Sequence, residues 1–418
     1  MDVVDNYRLK LGKAEYVPIV TGGMGVDIST TELALVSCRL GGIGHISDAM
    51  VPFVSDKKFD TKFTQIKSRK YKETSKGFDK STVKFDLDDI RKAQMNHVQS
   101  TIEQKQGSGA IHINVMEKLN MAAPLPTMQA RLTAALDAGI DGITLSAGLH
   151  MHSMKLMENN PRFRDANIGI IVSGVRALKI FLRSAQRSDR FPDYIVVEGP
   201  LAGGHLGFGD DWQEYTLKGI VSEVLEFLKK QDLDIPVIPA GGVFTGTDAV
   251  EFLQSGSAAV QVATRFTVTE ECGLPAPVKQ KYFAANEEDV IVSCVSPTGY
   301  PIRMLTNSPC LNSNIKPSCE ALGYILDKDG HCQYLTAYEA APLDASGKKV
   351  PIEDKICLCH HFGQYNCYTC GHYVYRLSDT TIHKPDGSYQ LLSAEHVFKD
   401  YQFSKEHSIC LPSANAAA

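Results

Sequence analysis

No apolar run in this chain approaches the roughly 18 residues that would carry it across a bilayer, and no long basic block marks a nucleic-acid surface. The formal net charge of -5 points the same way, so neither nucleic acid nor membrane is an expected partner. The start, Met1-Asp2-Val3-Val4-Asp5-Asn6, lacks the basic residues and apolar stretch of a signal peptide. A soluble, cytoplasmic protein is the expectation. Under cytoplasmic reducing conditions a disulfide framework is not expected.

Cysteine itself is not scarce. The chain holds 11, spread very unevenly: Cys38 stands alone, Cys272 and Cys294 follow, and eight lie between Cys310 and Cys410. Apolar residues at 43% and charged residues at 22% are ordinary globular values. At 418 residues there is room for one large domain with an appendage, or for two domains.

From residue 16 to about 285, short apolar runs alternate with longer amphipathic stretches. Strands are predicted at 17–21, 43–47, 110–115, 142–146, 169–173, 194–197, 237–240 and 259–263. Between them, stretches such as 30–39, 127–138, 175–187, 213–230 and 245–255 repeat apolar residues at three- and four-residue intervals, the period of a helix with one buried face. Eight strand–helix units imply an α/β fold, a (β/α)8 TIM barrel, with a doubly wound sheet as the alternative. A long insertion after the second strand, residues 52–109, is rich in Lys, Asp and Ser and holds a predicted helix over 86–106. It reads as an excursion on the barrel rim, or as a lid over the site. Prolines at 297, 301, 309 and 317 then change the pattern and place a boundary near 300. Residues 1–300 form the barrel. Residues 301–418 form an irregular, cysteine-rich extension packed on it, with a frayed end over 413–418.

Three glycine motifs sit at strand ends. Gly22-Gly23-Met24-Gly25 follows the first strand, where backbone amides could face a flat or anionic ligand, or simply turn. Ala240-Gly241-Gly242 ends the seventh strand, before a helix that Thr245 or Thr247 could cap, and Gln261 to Arg265 ends the eighth. Loops after strands seven and eight are where barrels bind phosphate, and Ala263 and Thr264 leave room for it. Arg265 fits an ion pair beneath the loop as well as a ligand contact. Asn114, Ser146, Ser173 and Glu198 are polar residues within or ending apolar strands, each suited to bracing the barrel or to lining a ligand.

The third motif, Ala202-Gly203-Gly204-His205, follows the sixth strand. His205 has no carboxylate or cysteine in its loop, so a lone base or hydrogen-bond donor beside a cofactor is the preferred reading. His150 and His152, after the fourth strand, have a spacing a metal could use, but two ligands do not make a site. They stay as rim residues or secondary substrate contacts. Cys357, Cys359, Cys367 and Cys370 offer four thiolates in 14 residues, the number zinc or an iron–sulfur cluster needs. The CxC spacing fits less well than paired CxxC, and reduced, packed cysteines are preferred.

Together these motifs, with Glu198-Gly199, Thr264-Arg265-Phe266 and Glu270-Glu271-Cys272, resemble the nitronate monooxygenase (2-nitropropane dioxygenase) family, which includes FMN-dependent enoyl-ACP reductases. The resemblance covers about residues 16–285. It implies a TIM barrel holding FMN non-covalently, the phosphate on Gly241, Gly242, Ala263 and Thr264, and the ring over Gly22, Gly23 and Met24 with Asn114, Ser173 and Glu198 nearby. Gly203, Gly204, Ala240 and Gln261 complete the implied cofactor set, and His205 matches the family's catalytic histidine. The tail is similar in outline to longer members that carry scattered cysteines before an aromatic-Arg segment, here Tyr373-Val374-Tyr375-Arg376.

The first function this implies is oxidation of an alkyl nitronate by dioxygen to a carbonyl compound and nitrite. The alternative is an NAD(P)H-dependent enoyl-thioester reductase, for which an acyl carrier protein would be the partner. No basic groove for a carrier's phosphopantetheine is evident in the sequence. A third reading is a non-catalytic flavin protein that senses redox state through its cysteines. All three are compatible with an oligomer.

Overall fold

The computed structural model describes residues 2–73, 83–117, 123–323, 327 and 329–412, so the predicted frayed end at 413–418 and part of the insertion lie outside the described residues. The chain opens on a hairpin of β1 (Leu9–Leu11) and β2 (Ala14–Tyr16). Its Leu9, Leu11 and Tyr16 are buried against Ile43, Ala110 and Ala259 at the starts of barrel strands, which closes the bottom of the barrel.

Eight parallel strands form that barrel: β3 (Ile19–Thr21), β4 (Ile43–Ser47), β5 (Ala110–Met116), β6 (Gly142–Ser146), β7 (Asn167–Val172), β8 (Tyr194–Glu198), β10 (Val237–Ala240) and β11 (Val260–Val262). They follow chain order around the ring, and β8 pairs with β10 across the intervening short strand β9 (Gly204–His205). The strands lie where the sequence predicts them. Both faces of each are covered, so they read as apolar runs rather than alternations. Polar groups break the apolar interior at one layer. His45 Nδ1 lies 2.8 Å from Thr21 O and its Nε2 2.5 Å from Thr144 Oγ1. Thr144 and His112 in turn meet the Tyr194 hydroxyl at 2.5 and 2.9 Å. The Tyr194 ring fills the space a side chain at Gly169 would need.

The first helix, α1 (Thr31–Arg39), is capped by Thr30. The insertion forms α2 (Val51–Phe59), α3 (Phe63–Glu73) and α4 (Leu87–Ile102). Asp86 caps α4 by accepting from the Asp88 and Asp89 amides, which starts the predicted helix where its first acidic turn begins. Then come α5 (Pro124–Asp137), α6 (Ser153–Met157), α7 (Val175–Ala185), α8 (Leu217–Lys230), α9 (Gly246–Gln254) and α10 (Ala276–Phe283). After α10, β12 (Val290–Ser293) pairs antiparallel with β13 (Ile302–Leu305), the first element of the extension, which adds α11 (Cys319–Leu322), α12 (Gln333–Ala340), α13 (Leu358–Gly363) and α14 (Ala394–Phe403).

Helix α14 packs between α9 and α1, the place of the barrel's eighth helix. Phe398 and Tyr401 join the main core there. A fully buried ion pair, Arg265 to Asp400 at 2.6 Å, ties α14 to the turn after β11, so Arg265 serves the pair and not a ligand. Helix α3 of the insertion lies on α11 of the extension. Lys67 Nζ donates to the carbonyls of Cys319 (3.2 Å) and Ala321 (3.1 Å), and burial pushes its pKa down to about 7. Val83 and Phe85 from the insertion pack there with Ile302, Met304, Cys310 and Leu335 in a second apolar cluster.

Candidate functional site

The glycine loops meet on the C-terminal face of the barrel. Gly241 (φ +86°) and Gly242 (φ +102°) take a conformation that L side chains rarely adopt. A Cβ on Gly241 would also stand 2.8 Å from the Ala202 amide nitrogen, so the loops after β8 and β10 are in close contact. Thr245 caps α9 while the Asp248 carboxylate accepts from the Phe244 and Thr245 amides. Those two amides are occupied; among the described residues the Gly242 and Val243 amides make no hydrogen bond.

Across the barrel mouth, a Cβ on Gly22 would lie 3.3 Å from Ala263 Cβ, which brings the first and eighth strand ends together. Gln261 reaches the same place, and its buried Oε1 has no hydrogen-bond partner among the described residues. Asn114 occupies the space beside Gly23, donates to Gly23 O at 3.2 Å and accepts from the Ser146 hydroxyl. It therefore braces the first glycine loop. The Met24 amide is held by Ser29 Oγ at 2.8 Å, which itself donates to Gly22 O. Ser173 stands against Gly207, just beyond the histidine.

His205 lies on β9, which pairs with β13 in register with Ile302. Its Nε2 is 2.6 Å from Ser296 Oγ, and Ser296 is fully buried and 2.9 Å from Thr298 Oγ1. Burial lowers the His205 pKa to about 4, so the ring is neutral at physiological pH. Nδ1 has no protein partner among the described residues. If Nε2 donates to Ser296, Nδ1 presents a lone pair; if Ser296 donates, Nδ1 presents a proton. Either way Nδ1 is left for a further hydrogen bond. Glu198, half-buried at the end of β8, has no ion-pair partner among the described residues, and desolvation raises its pKa to about 7.

Arg303, fully buried on β13, secures this loop. Its Nη1 donates to the carbonyls of Pro200 (2.8 Å) and Ala202 (2.5 Å), and its guanidinium covers the Trp212 ring at 4.7 Å. The extension closes the same loop from above, since a Cβ on Gly203 would stand 2.7 Å from the backbone of Cys370 and Gly371. The sequence reading does not single out Ser296, Thr298 or Arg303. They fall among the prolines that mark the boundary, where no period or motif flags them.

The histidine pair after β6 is not a metal site. His150 is buried with both ring nitrogens engaged, Nε2 at 2.7 Å from Ser146 O and Nδ1 at 2.8 Å from Ser153 Oγ. Of the four tail cysteines, Cys370 packs in the barrel core, Cys359 and Cys367 in the second cluster, and Cys357 in a third beside Tyr334. Among the described residues no group of three or more His, Cys, Asp or Glu side chains is placed to hold a metal. No helix among them is long and apolar enough to cross a membrane.

The model of the nitronate monooxygenase family matches residues 8–329. The chain belongs to that family. Among curated relatives, a (3aS,4S,5R,7aS)-5-hydroxy-7a-methyl-1-oxo-octahydro-1H-indene-4-carboxyl-CoA dehydrogenase of Rhodococcus jostii (strain RHA1) is 34% identical over 121 residues, 29% of this chain and 31% of the relative. A "Probable nitronate monooxygenase" of Staphylococcus saprophyticus is 32% identical over 117 residues, 28% of this chain and 32% of the relative. The match thus spans about a third of the length of these relatives. Solved structures align nearly end to end. FabK from Thermotoga maritima has a TM-score of 0.53 at 18% identity, covering 92% of this chain and 91% of that one. A nitroalkane oxidase from Streptomyces ansochromogenes has a TM-score of 0.56 at 15% identity, covering 92% and 94%. At such identities the likeness is one of fold.

Proposed function

We propose that the chain is an FMN-dependent oxidoreductase that oxidises alkyl nitronates with dioxygen, giving a carbonyl compound and nitrite. The residues suit the cofactor. Unoccupied amides at Gly242 and Val243 suit a phosphate, and the unpartnered Gln261 Oε1 suits a donor on a polar ring. When bound, FMN supplies the electron acceptor that dioxygen reoxidises.

The observation that carries the choice of substrate is the neutral His205. A base with a pKa of about 4 is weak for removing a carbon-bound proton from a neutral nitroalkane. It is well placed to offer an Nδ1 proton to a substrate that is already an anion. Ser296 orients the ring, Arg303 fixes the loop that carries it, and Glu198, at the end of the strand before that loop, is partly neutral at physiological pH.

Anaerobic mixing of the yellow protein with alkyl nitronate, NADH and NADPH tests this. Bleaching of the flavin by nitronate supports the proposal. Bleaching by a pyridine nucleotide at a catalytic rate assigns the enoyl-thioester reductase reading instead. A flavin that responds to none of the three substrates leaves the redox-sensing reading.

A further inference from the structure

The extension contributes one arginine whose position the barrel alone does not account for. The segment that begins at Gly371 runs over the loops after β8, β10 and β11. The His372 amide donates to Leu201 O at 3.1 Å, and Gly371 lies so close to Thr264 Oγ1 that a side chain there would clash. Five residues on, the Arg376 guanidinium lies 4.4 Å from the centre of the Phe244 ring, two residues past Gly242. Its charge reaches the Tyr401 hydroxyl, which donates to Val243 O at 3.2 Å.

Other cations in this region are committed. Arg265 is bound to Asp400, and Arg303 holds two carbonyls. Arg376 makes no hydrogen bond or ion pair with any described residue and is only half-buried. The guanidinium, which also lies 5.5 Å from the centre of the Tyr373 ring, stacks on aromatic faces and keeps its five donors for an anion or water. The Gly242 and Val243 amides, two residues and one residue before Phe244, make no hydrogen bond among the described residues and recruit the same kind of ligand.

We infer that Arg376 of the C-terminal extension binds the phosphate of the flavin cofactor, completing from outside the barrel a site that the Gly241–Gly242 and Ala263–Thr264 loops begin. This rests on the flavin reading of the barrel. It gives the extension a defined role: the tail selects the phosphorylated cofactor, since a charge-assisted contact discriminates FMN from riboflavin, which lacks the phosphate.

The test is the affinity of the full-length chain, stripped of flavin, for FMN and for riboflavin, read by quenching of flavin fluorescence. Arg376→Ala and Arg376→Gln should weaken FMN about tenfold to a hundredfold, the usual range for a lost hydrogen bond to a charged group. Both should leave riboflavin binding unchanged, and Arg376→Lys should recover part of the FMN affinity. Either variant binding FMN as tightly as the native chain overturns the inference and leaves the flavin reading standing. Equal losses for FMN and riboflavin overturn it too, because they show a packing role on Phe244. A native chain that binds neither flavin overturns both.

Discussion

Ser296 Oγ stands 2.6 Å from His205 Nε2, joining the glycine loop after the sixth barrel strand to a turn 91 residues later. The pairing of β9 with β13 brings the two together, and Arg303 on β13 holds the carbonyls behind them. The histidine is therefore oriented by chain that lies outside the (β/α)8 repeat.

His205→Ala should leave flavin affinity within a factor of about two and lower turnover roughly 10²- to 10⁴-fold, the range for a lost proton-handling group. Flavin absorbance and steady-state rates measured on one preparation give both numbers. Undiminished turnover of nitronates and NAD(P)H would remove the histidine from the reaction.

Ser296→Ala should act through the ring it orients. We expect kcat to fall about tenfold with KM and flavin binding little changed, a pattern of lost orientation. The lower limb of the pH–rate profile should move as well, because the hydroxyl partner of Nε2 is gone. A profile that superimposes on the native one would reduce Ser296 to packing.

Several buried histidines set the acid stability. His45 and His205 are lowered to about 4 and His97 to about 3, chiefly by burial, against an unfolded value near 6.5. Between those values the unfolded chain binds more protons, so stability rises with pH there and is lost as pH falls from about 6.5 toward 4. Glu198, raised to about 7, acts in the opposite sense, as do the raised Asp27 and Asp48, while the lowered His112, His150 and His361 add to the histidine effect. Urea titrations at pH 7 and pH 5 should show the lower midpoint at pH 5, and equal midpoints would contradict these assignments.

Asp400→Ala strips the buried Arg265 of its counter-charge and should cost about 3–5 kcal/mol, read from denaturant unfolding. Ending the chain before α14 should be worse, since the apolar faces of α1 and α9 lose their cover. A truncated chain as stable as the native one would show that the barrel closes without it.

Gly241→Ala and Gly204→Ala separate backbone strain from crowding. Both glycines have positive φ, +86° and +72°, but only Gly241 has backbone at its Cβ position. Gly204→Ala should cost about 1 kcal/mol and Gly241→Ala clearly more, with flavin affinity falling only in the second.

Much of the barrel was legible in the sequence. Alternating apolar runs and amphipathic stretches located every barrel strand, and Asp86 marked the start of α4, because burial on two faces and helix capping both leave local traces. The glycines at 203 and 241 sit at strand ends where neighbouring backbone fills the Cβ position, and those at 204, 241 and 242 where φ is positive, so both constraints leave a trace in the sequence. Periodicity reports that a face is buried and not what buries it. So only the tertiary structure decided that the eighth helix position belongs to residues 394–403, that Ser296 and Arg303 hold the histidine loop, and that the tail cysteines pack into apolar clusters with barrel and insertion residues. Each depends on segments far apart in the chain meeting in space, and such meetings leave no pattern within either segment.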